Sequence, residues 1–149
     1  MEKTNSLPRG LRNNNPLNLR ISNNTWLGKV KNNTDGAFEQ FITLEYGLRA
    51  AMRNIKTIID RRKKLKQRTT IANLIHIWAP ASDNNNEQAY CAAIEKYTTF
   101  KPTYVIDIKN KNHFCMLIHA MVRVENGVPV DFVRIENAYA LAFNGIGFN

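Results

Sequence analysis

The strongest structural signal in the sequence lies in Leu44-Glu-Tyr-Gly-Leu-Arg-Ala-Ala-Met-Arg-Asn-Ile-Lys-Thr-Ile-Ile-Asp-Arg-Arg-Lys-Lys-Leu-Lys-Gln-Arg68. Its apolar residues recur at the spacing of one helix face: Leu44, Leu48, Ala51, Met52, Ile55, Ile58 and Ile59. From residue 53 onward it carries a run of cations opposed only by Asp60: Arg53, Lys56, Arg61, Arg62, Lys63, Lys64, Lys66 and Arg68. Cations near the C-terminus of a helix interact favourably with the helix dipole and the free carbonyls. Two interpretations stay open for this run, a solvated helix end and a contact with a polyanion.

The residues before this helix favour turns and short strands. Asn15-Pro16 disfavours a helix, so we expect an ordered turn over residues 9–20. Three short runs suit strands, and Asn-rich segments supply the turns between them: Leu17 to Ile21, Trp26 to Val30, and Ala37 to Ile42. The sequence therefore predicts a small antiparallel β-sheet over about residues 17–42.

The residues after this helix favour further helices up to about residue 143. Capping residues mark three helix starts: Thr69 or Thr70, Asn85 with Gln88, and Asn110 or Asn112. The third of these helices ends at Glu125-Asn126-Gly127, where glycine is the expected terminator, and a last helix follows over Val130 to Phe143. We predict the α+β class, predominantly helical, with residues 1–149 forming a single domain.

Composition narrows the class of protein and of partner. The chain has 149 residues, 44% of them hydrophobic, which suffices for one domain with its own core. A formal net charge of +9 attracts polyanions, whether nucleic acid, anionic lipid or an acidic cell-wall polymer. No apolar run approaches the roughly 20 residues of a membrane span. The N-terminus lacks a signal-peptide pattern, so we expect a protein that is cytoplasmic as synthesised.

Most of the usual reactive groups lack the spacing that their chemistry needs. His76, His113 and His119 are scattered, and no Gly-rich phosphate loop occurs, so we expect no metal and no cofactor. Cys91 and Cys115 are interpreted as buried thiols in a reducing compartment, although the sequence leaves their pairing open. Carboxylates remain as the candidates for catalysis.

Six spaced motifs form one ordered series between about residues 9 and 97. They are Gly10-Leu-Arg-Asn-Asn-Asn-Pro-Leu-Asn-Leu19, Trp26-Leu-Gly28, Asp35-Gly-Ala-Phe-Glu-Gln-Phe41, Glu45-Tyr-Gly-Leu-Arg-Ala50, Trp78-Ala-Pro80 and Asn85-x4-Tyr90. The series resembles a family of phage and prophage virion structural proteins that belong with the lysozyme-like peptidoglycan hydrolases. Leu17 and Ala81 depart from it, since relatives often have Gly and Pro there. The resemblance implies a lysozyme-like domain.

The same order is similar to that of the flagellar-type N-acetylglucosaminidases. The strand, Trp-x-Gly and sugar-cleft motifs of that family correspond in turn to Asn15 to Arg20, Trp26 to Gly28, Phe38 to Phe41 and Trp78 to Tyr90. The catalytic Glu of that family precedes the first strand, where this chain has only Glu2. The helix His119-Ala-Met-Val-Arg-Val-Glu125-Asn-Gly127 is like the missing piece. A circular permutation relative to those enzymes would place Glu125 as the general acid.

Other carboxylates are open as partners or substitutes for Glu125. Glycosidic cleavage needs a proton on the leaving oxygen, and apolar surroundings such as Val122 and Val124 help a Glu to keep its proton. Asp35 and Glu39 are candidates for a second carboxylate. In the lytic transglycosylases one Glu serves as both acid and base, so a lone Glu125 would suffice. Glu45 is a further catalytic candidate, although its place near a helix start also suits a structural role.

Amide and aromatic residues are the candidates for substrate binding. They are Asn13, Asn14, Asn15, Asn18, Trp26, Trp78 and Tyr90. Aromatic rings stack on sugars, and amides bond their hydroxyl groups. The same residues also suit turns and core packing, so both interpretations stay open.

The resemblance implies a peptidoglycan glycan-strand hydrolase or lytic transglycosylase that cleaves the β-1,4 bond between amino sugars. Peptidoglycan glycan strands are then the expected substrate, with other virion proteins as further partners and with release to the cell wall by lysis. The alternative is a non-catalytic phage structural or wall-binding protein that keeps the cleft. We do not expect a nucleic acid partner, because no aromatic residues are interleaved with the cations of residues 53–68.

Overall fold

The computed structural model describes residues 7–145, which form six α-helices and one 3₁₀ turn. The helices are α1 (Arg9–Arg12), α2 (Leu44–Lys64), α3 (Ile71–Trp78), α4 (Glu87–Thr98), α5 (Lys111–Asn126) and α6 (Phe132–Phe143), with the 3₁₀ turn at Ala81–Asp83. Within this range each helix is too short or too polar to cross a bilayer.

Helix α2 is the longest element, and its apolar face is buried as the periodicity predicts. Leu48, Met52 and Ile55 are fully buried, and α2 packs mainly against α6. Each such side chain contributes roughly 1.5–3 kcal/mol by leaving water. The hydroxyl of Thr43 caps the helix by accepting from the Tyr46 amide at 3.2 Å. The cationic stretch finishes α2 at Lys64 and continues into the following turn.

Helices α3 to α6 pack in sequence around the same core. Helix α3 packs on α4, α4 on α5, and α5 on α6. The main cluster of buried residues extends from Leu17 to Phe143 and so joins both ends of the described chain.

Several predicted helix boundaries are confirmed, and others are shifted by one or two residues. Thr70 caps α3 and Asn110 caps α5, and α5 ends at Asn126 with Gly127 in the left-handed region. Asn86, rather than the predicted Asn85, caps α4, because its side chain accepts from the Ala89 amide at 2.9 Å. Helix α6 begins at Phe132 rather than at Val130.

The predicted β-sheet over residues 17–42 is wrong, so the α+β class needs correction to a helical fold. In the described part of the chain no strand is formed, and only isolated antiparallel bridges occur, two of them in this segment. They pair Arg20 with Phe38 and Lys29 with Phe41.

Side chains take the hydrogen bonds that a sheet ladder would need. Nδ2 of the fully buried Asn15 side chain donates to the carbonyls of Leu19 and Glu39 at 2.9 and 3.0 Å. Its Oδ1 accepts from the backbone N–H of Leu19. The buried Glu39 carboxylate accepts from the Ser22 amide at 3.1 Å. Such bonds offer the backbone an alternative to strand pairing, so the segment folds as irregular chain.

The N-terminal turn also differs from expectation, because residues 9–12 form the short helix α1. Two motif glycines let this region pack closely. A Cβ at Gly10 would lie 2.6 Å from Oδ1 of Asn126 in α5, and one at Gly47 would collide with the carbonyl of Asn14. The glycines therefore allow the Asn-rich turn of residues 13–18 to approach both α2 and α5 closely.

Candidate active site

Glu125 lies in the last turn of α5, where two side chains from distant parts of the sequence donate hydrogen bonds to it. Nδ2 of Asn18 donates to Oε1 at 3.0 Å, and the hydroxyl of Tyr90 donates to Oε2 at 2.9 Å. Each carboxylate oxygen therefore has one fixed donor, which sets the orientation of the group.

The Asn-rich turn places Asn18 beside α5. Asn18 adopts a left-handed backbone conformation, with φ of 55°, and its amide donates to the carbonyl of Asn15 at 3.0 Å. Nδ2 of the buried Asn126 donates to the carbonyl of Pro16 at 2.8 Å and to that of Val122 at 2.9 Å. The residue next to Glu125 thus fastens the turn that carries Asn18.

Burial raises the pKa of Glu125 above its ordinary value, although the hydrogen bonds from Asn18 and Tyr90 act in the opposite direction. Burial and the nearby Glu125 charge also raise the pKa of Tyr90 well above its usual value, so the phenol remains a donor. A carboxyl group whose pKa lies nearer neutrality is suited to giving up and taking back a proton.

A cavity of about 200 Å³ opens beside Glu125. It is lined by Leu17, Asn18, Arg20, Phe38, Trp78, Ala79, Asp83, Asn85 and Glu125. A second cavity of about 310 Å³ shares Asn18, Arg20, Trp78 and Asp83 with the first and continues to Asn54 and Ile58 of α2. The two cavities adjoin, so they form an extended surface rather than an isolated pit.

The structure brings together four of the residues selected from the sequence. Glu125, Asn18 and Trp78 line the cavity, and Tyr90 contacts Glu125 from its buried side. Trp78 lines both cavities and packs against both hydrophobic clusters of the protein.

Asp35 lies outside both cavities and organises a loop. It forms a bidentate ion pair with Arg9 at 2.7 and 2.8 Å and accepts from Nδ2 of Asn13. Its Oδ1 also accepts from the amides of Ala37 and Phe38. These donors, the Arg9 guanidinium first, hold the pKa of Asp35 far below its usual range.

Glu39 and Glu45 likewise lie outside both cavities, in ion pairs. Glu39 is buried, and its Oε2 atom lies 3.1 Å from Nζ of Lys29. Glu45 forms a bidentate pair with Arg134 at 2.7 and 2.8 Å, which links α2 to α6 and lowers the pKa of Glu45.

The other substrate-binding candidates hold the irregular segment together. Asn13 accepts from Gln40 while it donates to Asp35, and Asn14 donates to the carbonyl of Phe41 at 3.0 Å. The side-chain amide of Asn15 is hydrogen-bonded to backbone groups of Leu19 and Glu39. Trp26 packs on a small second cluster formed by Leu19, Phe41 and Ala50.

Four polar or aromatic cavity residues did not enter the predicted site. They are Arg20, Phe38, Asp83 and Asn85. The guanidinium groups of Arg9 and Arg20 lie 4.6 and 5.1 Å from the centre of the Phe38 ring. A signal for Asp83 exists in the sequence, because the loop between Trp78-Ala-Pro80 and Tyr90 joins two cleft motifs.

The remaining reactive groups are the two cysteines and the side chains that could bind a metal ion. Cys91 and Cys115 are both free and buried, and burial raises the pKa of Cys115 to about 11. Across residues 7–145, no group of three His, Cys, Asp or Glu side chains is arranged to hold a metal ion.

Comparison with known proteins places the chain among phage proteins. No protein-family model matches it. Protein P5 of Pseudoalteromonas phage PM2 is 30% identical to it over 145 residues. That alignment covers 95% of this chain and 86% of Protein P5, so the two correspond along almost their whole length. The chain belongs to the family of phage proteins that includes Protein P5 of phage PM2.

Proposed function

We propose that the protein cleaves the β-1,4 bond between the amino sugars of peptidoglycan, with Glu125 as the proton donor. The observation that carries the proposal is the Glu125 carboxyl group itself. It lines a cavity, has a raised pKa, and is held by Asn18 and Tyr90. An oriented acid of this kind is what the departing sugar oxygen requires.

The first step transfers the Glu125 proton to the glycosidic oxygen as the bond from that oxygen to C1 breaks. Positive charge develops on the sugar ring, and the new Glu125 carboxylate stabilises it. The hydrogen bonds from Asn18 and Tyr90 strengthen as Glu125 becomes ionised, because donors bind a charged acceptor more strongly than a neutral one. These two residues therefore favour the transition state over the ground state.

The second step needs a base, and we propose that Glu125 also takes this role. The Glu125 carboxylate would remove a proton from a hydroxyl group of the same sugar while that oxygen attacks C1. This closes an anhydro ring and returns the proton to Glu125. No second carboxylate is then needed, as in the lytic transglycosylases.

Hydrolysis with a second carboxylate would need a different residue from those predicted. Asp35, Glu39 and Glu45 lie outside the cavities and are held in ion pairs. Asp83 lines both cavities and is the candidate for that role. Retained activity in Asp83→Asn supports the route with Glu125 alone, whereas loss of activity supports the route with two carboxylates.

The adjoining cavities suit a polymer more than a small molecule. The Trp78 ring borders both of them and can contact the apolar face of a sugar ring. Asn18, Asn85 and Arg20 supply polar groups around it. We propose glycan strands as the substrate, other virion proteins as further partners of this phage protein, and lysis as the route from the cytoplasm to the cell wall.

The test measures release of dye from labelled cell-wall sacculi. The wild-type chain should release dye, and Glu125→Gln should reduce the rate at least about 100-fold, the usual contribution of a general acid. Glu95→Gln is the matched control, because Glu95 lies on the outside of α4 and pairs only with Lys101 among the described residues. Equal release by both variants would remove Glu125 from the mechanism. Binding to sacculi without any release would select the non-catalytic wall-binding alternative.

A further inference from the structure

A separate cavity lies beside the first half of α2, on the outside of the irregular segment. Its volume is about 360 Å³, and it is lined by Asn24, Thr25, Trp26, Leu27, Arg49 and Arg53. None of these residues lines the two cavities near Glu125. The cavity therefore needs an explanation of its own.

Arg49 is the unusual member of this group. Its Nε atom is buried and lacks a hydrogen-bond partner, although a buried polar group normally has one. Within residues 7–145, no carboxylate forms an ion pair with Arg49. Burial and the charge of Arg53 lower the pKa of Arg49.

Arg53 adds a second positive charge at the same place. It lies one helical turn after Arg49, a spacing at which like charges repel. Its Nη1 atom donates to the carbonyl of Ala142 at 3.0 Å, which neutralises none of its charge. Two guanidinium groups thus share a cavity that carries no acidic side chain in its lining.

Of the other half-buried cations in residues 7–145, two pair with acids and one donates to uncharged oxygens. Lys29 pairs with Glu39 and Lys56 with Asp60, whereas Arg62 donates to Oγ1 of Thr69 and to the carbonyl of Arg68. Desolvated charges destabilise a fold unless they are paired. Arg49 differs from all of these because its buried Nε atom has no hydrogen-bond partner, which indicates a place that an external anion completes.

We propose that this cavity is an oxyanion-binding site, in which Arg49 and Arg53 hold a carboxylate or phosphate group of a ligand. A guanidinium group binds either oxyanion through two parallel hydrogen bonds. The Trp26 ring and the exposed Leu27 side chain offer apolar contact to the organic part of the same ligand. The site is independent of Glu125, so its test does not depend on glycan cleavage.

The experiment measures the Tm of the full chain with two probes, inorganic phosphate and N-acetyl-D-alanyl-D-alanine. Sodium chloride at equal ionic strength is the reference. A ligand that binds only the folded state should raise the Tm by about 5 °C or more at 100 times its Kd. A rise with phosphate alone or with the peptide alone assigns the preferred oxyanion.

Arg49→Met should abolish this rise, and Arg61→Met is the matched control because Arg61 is an exposed cation on the same helix. Without ligand, Arg49→Met should keep or raise the Tm, since it removes an unpaired charge and its repulsion from Arg53. A purely structural Arg49 would instead lower the Tm when replaced.

NMR of the wild-type chain gives a reading that does not depend on any variant being folded. The Nε–H signal of Arg49 should move and saturate on titration with phosphate or the peptide. No movement of this signal and no rise in Tm with either probe would overturn the proposal.

Discussion

At Glu125 two effects of opposite sign act on one carboxyl group. Burial favours the protonated form, whereas the donors Asn18 and Tyr90 favour the ionised form, and burial is the larger effect. Burial therefore shifts Glu125 towards its protonated form, while the two donors remain in place for the carboxylate. This combination suits an acid that must also act as a base.

Tyr90→Phe tests this balance at the level of one bond. Loss of the hydroxyl donor should raise the pKa of Glu125 further, because the ionised form loses one of its two stabilising hydrogen bonds. Carbon-13 NMR titration of the Glu125 carboxyl group measures this pKa in the wild-type chain and in the variant. Tyr97→Phe is the control, since Tyr97 is exposed and stacks under Arg123 instead. An unchanged pKa in Tyr90→Phe would show that the hydrogen bond does not act on Glu125.

Asp35 shows the opposite behaviour, and its contribution to stability follows from the sign of its pKa shift. Because the folded pKa lies below the unfolded value of about 3.9, its stabilisation is complete above that pH and is lost as the pH falls further. At pH 7, Asp35→Asn should lower the free energy of unfolding by about 1–2 kcal/mol, since it weakens charge-assisted hydrogen bonds. Urea denaturation measures this. Asp60→Asn should lower the free energy of unfolding by about 0.5 kcal/mol or less, because the half-exposed Asp60 carboxylate forms a single ion pair within residues 7–145, with Lys56 one turn earlier in α2. An equal loss in both variants would contradict the role given to Asp35.

Among the elements, the helices could be predicted from sequence and the segment between α1 and α2 could not. Helix periodicity and capping depend on residues three and four apart, so a local pattern contains them. The missing sheet depends on where Asn15 and Glu39 send their side chains. Asn15 bonds Glu39 across the loop, and Glu39 bonds Ser22, so both choices depend on tertiary contacts. Strand propensity was outweighed by buried side-chain hydrogen bonds that no local pattern contains.

Gly47→Ala tests how the Asn-rich turn is held on α2. The added methyl group would collide with the carbonyl of Asn14, which is backbone and cannot turn away. We expect a loss of about 3 kcal/mol or more in the free energy of unfolding, measured with urea. Gly127→Ala is the comparison, because the methyl group there meets no described atom and only the positive φ of 76° is unfavourable. It should cost about 1 kcal/mol. A smaller loss in Gly47→Ala than in Gly127→Ala would contradict the close approach.

Across the whole molecule, distant parts of the described chain meet at the site. Asn18 and Glu125 are 107 residues apart in sequence and 3.0 Å apart between their polar atoms. The motif order predicted Glu125, Asn18, Trp78 and Tyr90 as site residues, and these four lie together. Arg20 and Phe38 escaped prediction because only folding brings their side chains to the cavity, whereas Asp83 lies in a loop between two motifs of the predicted cleft. Residue type alone makes catalytic candidates of Asp35, Glu39 and Glu45. Whether such a carboxylate is held in an ion pair depends on partners such as Arg9 and Arg134, which no spacing rule identifies.

The net charge of +9 predicts that binding of the protein to the cell wall depends on salt. With the Glu125→Gln chain, sacculus binding should weaken as salt rises from 50 to 500 mM, about 10-fold or more, because salt screens attraction between exposed charges. Replacement of the exposed Lys63 and Lys64 by Glu should reduce both the binding and its dependence on salt. Co-sedimentation with sacculi measures both effects. Unaltered binding would favour the solvated helix end over the polyanion contact.

Mass spectrometry of the soluble products from sacculi tests directly whether Glu125 breaks the glycan strand. The wild-type chain should release glycan fragments that end in an anhydro sugar, and Glu125→Gln should release at least about 100-fold less. Ends that carry added water would instead support hydrolysis assisted by Asp83. The same fragments in the same amount from Glu125→Gln, or none from the wild-type chain, would show that Glu125 does not cleave the glycan strand.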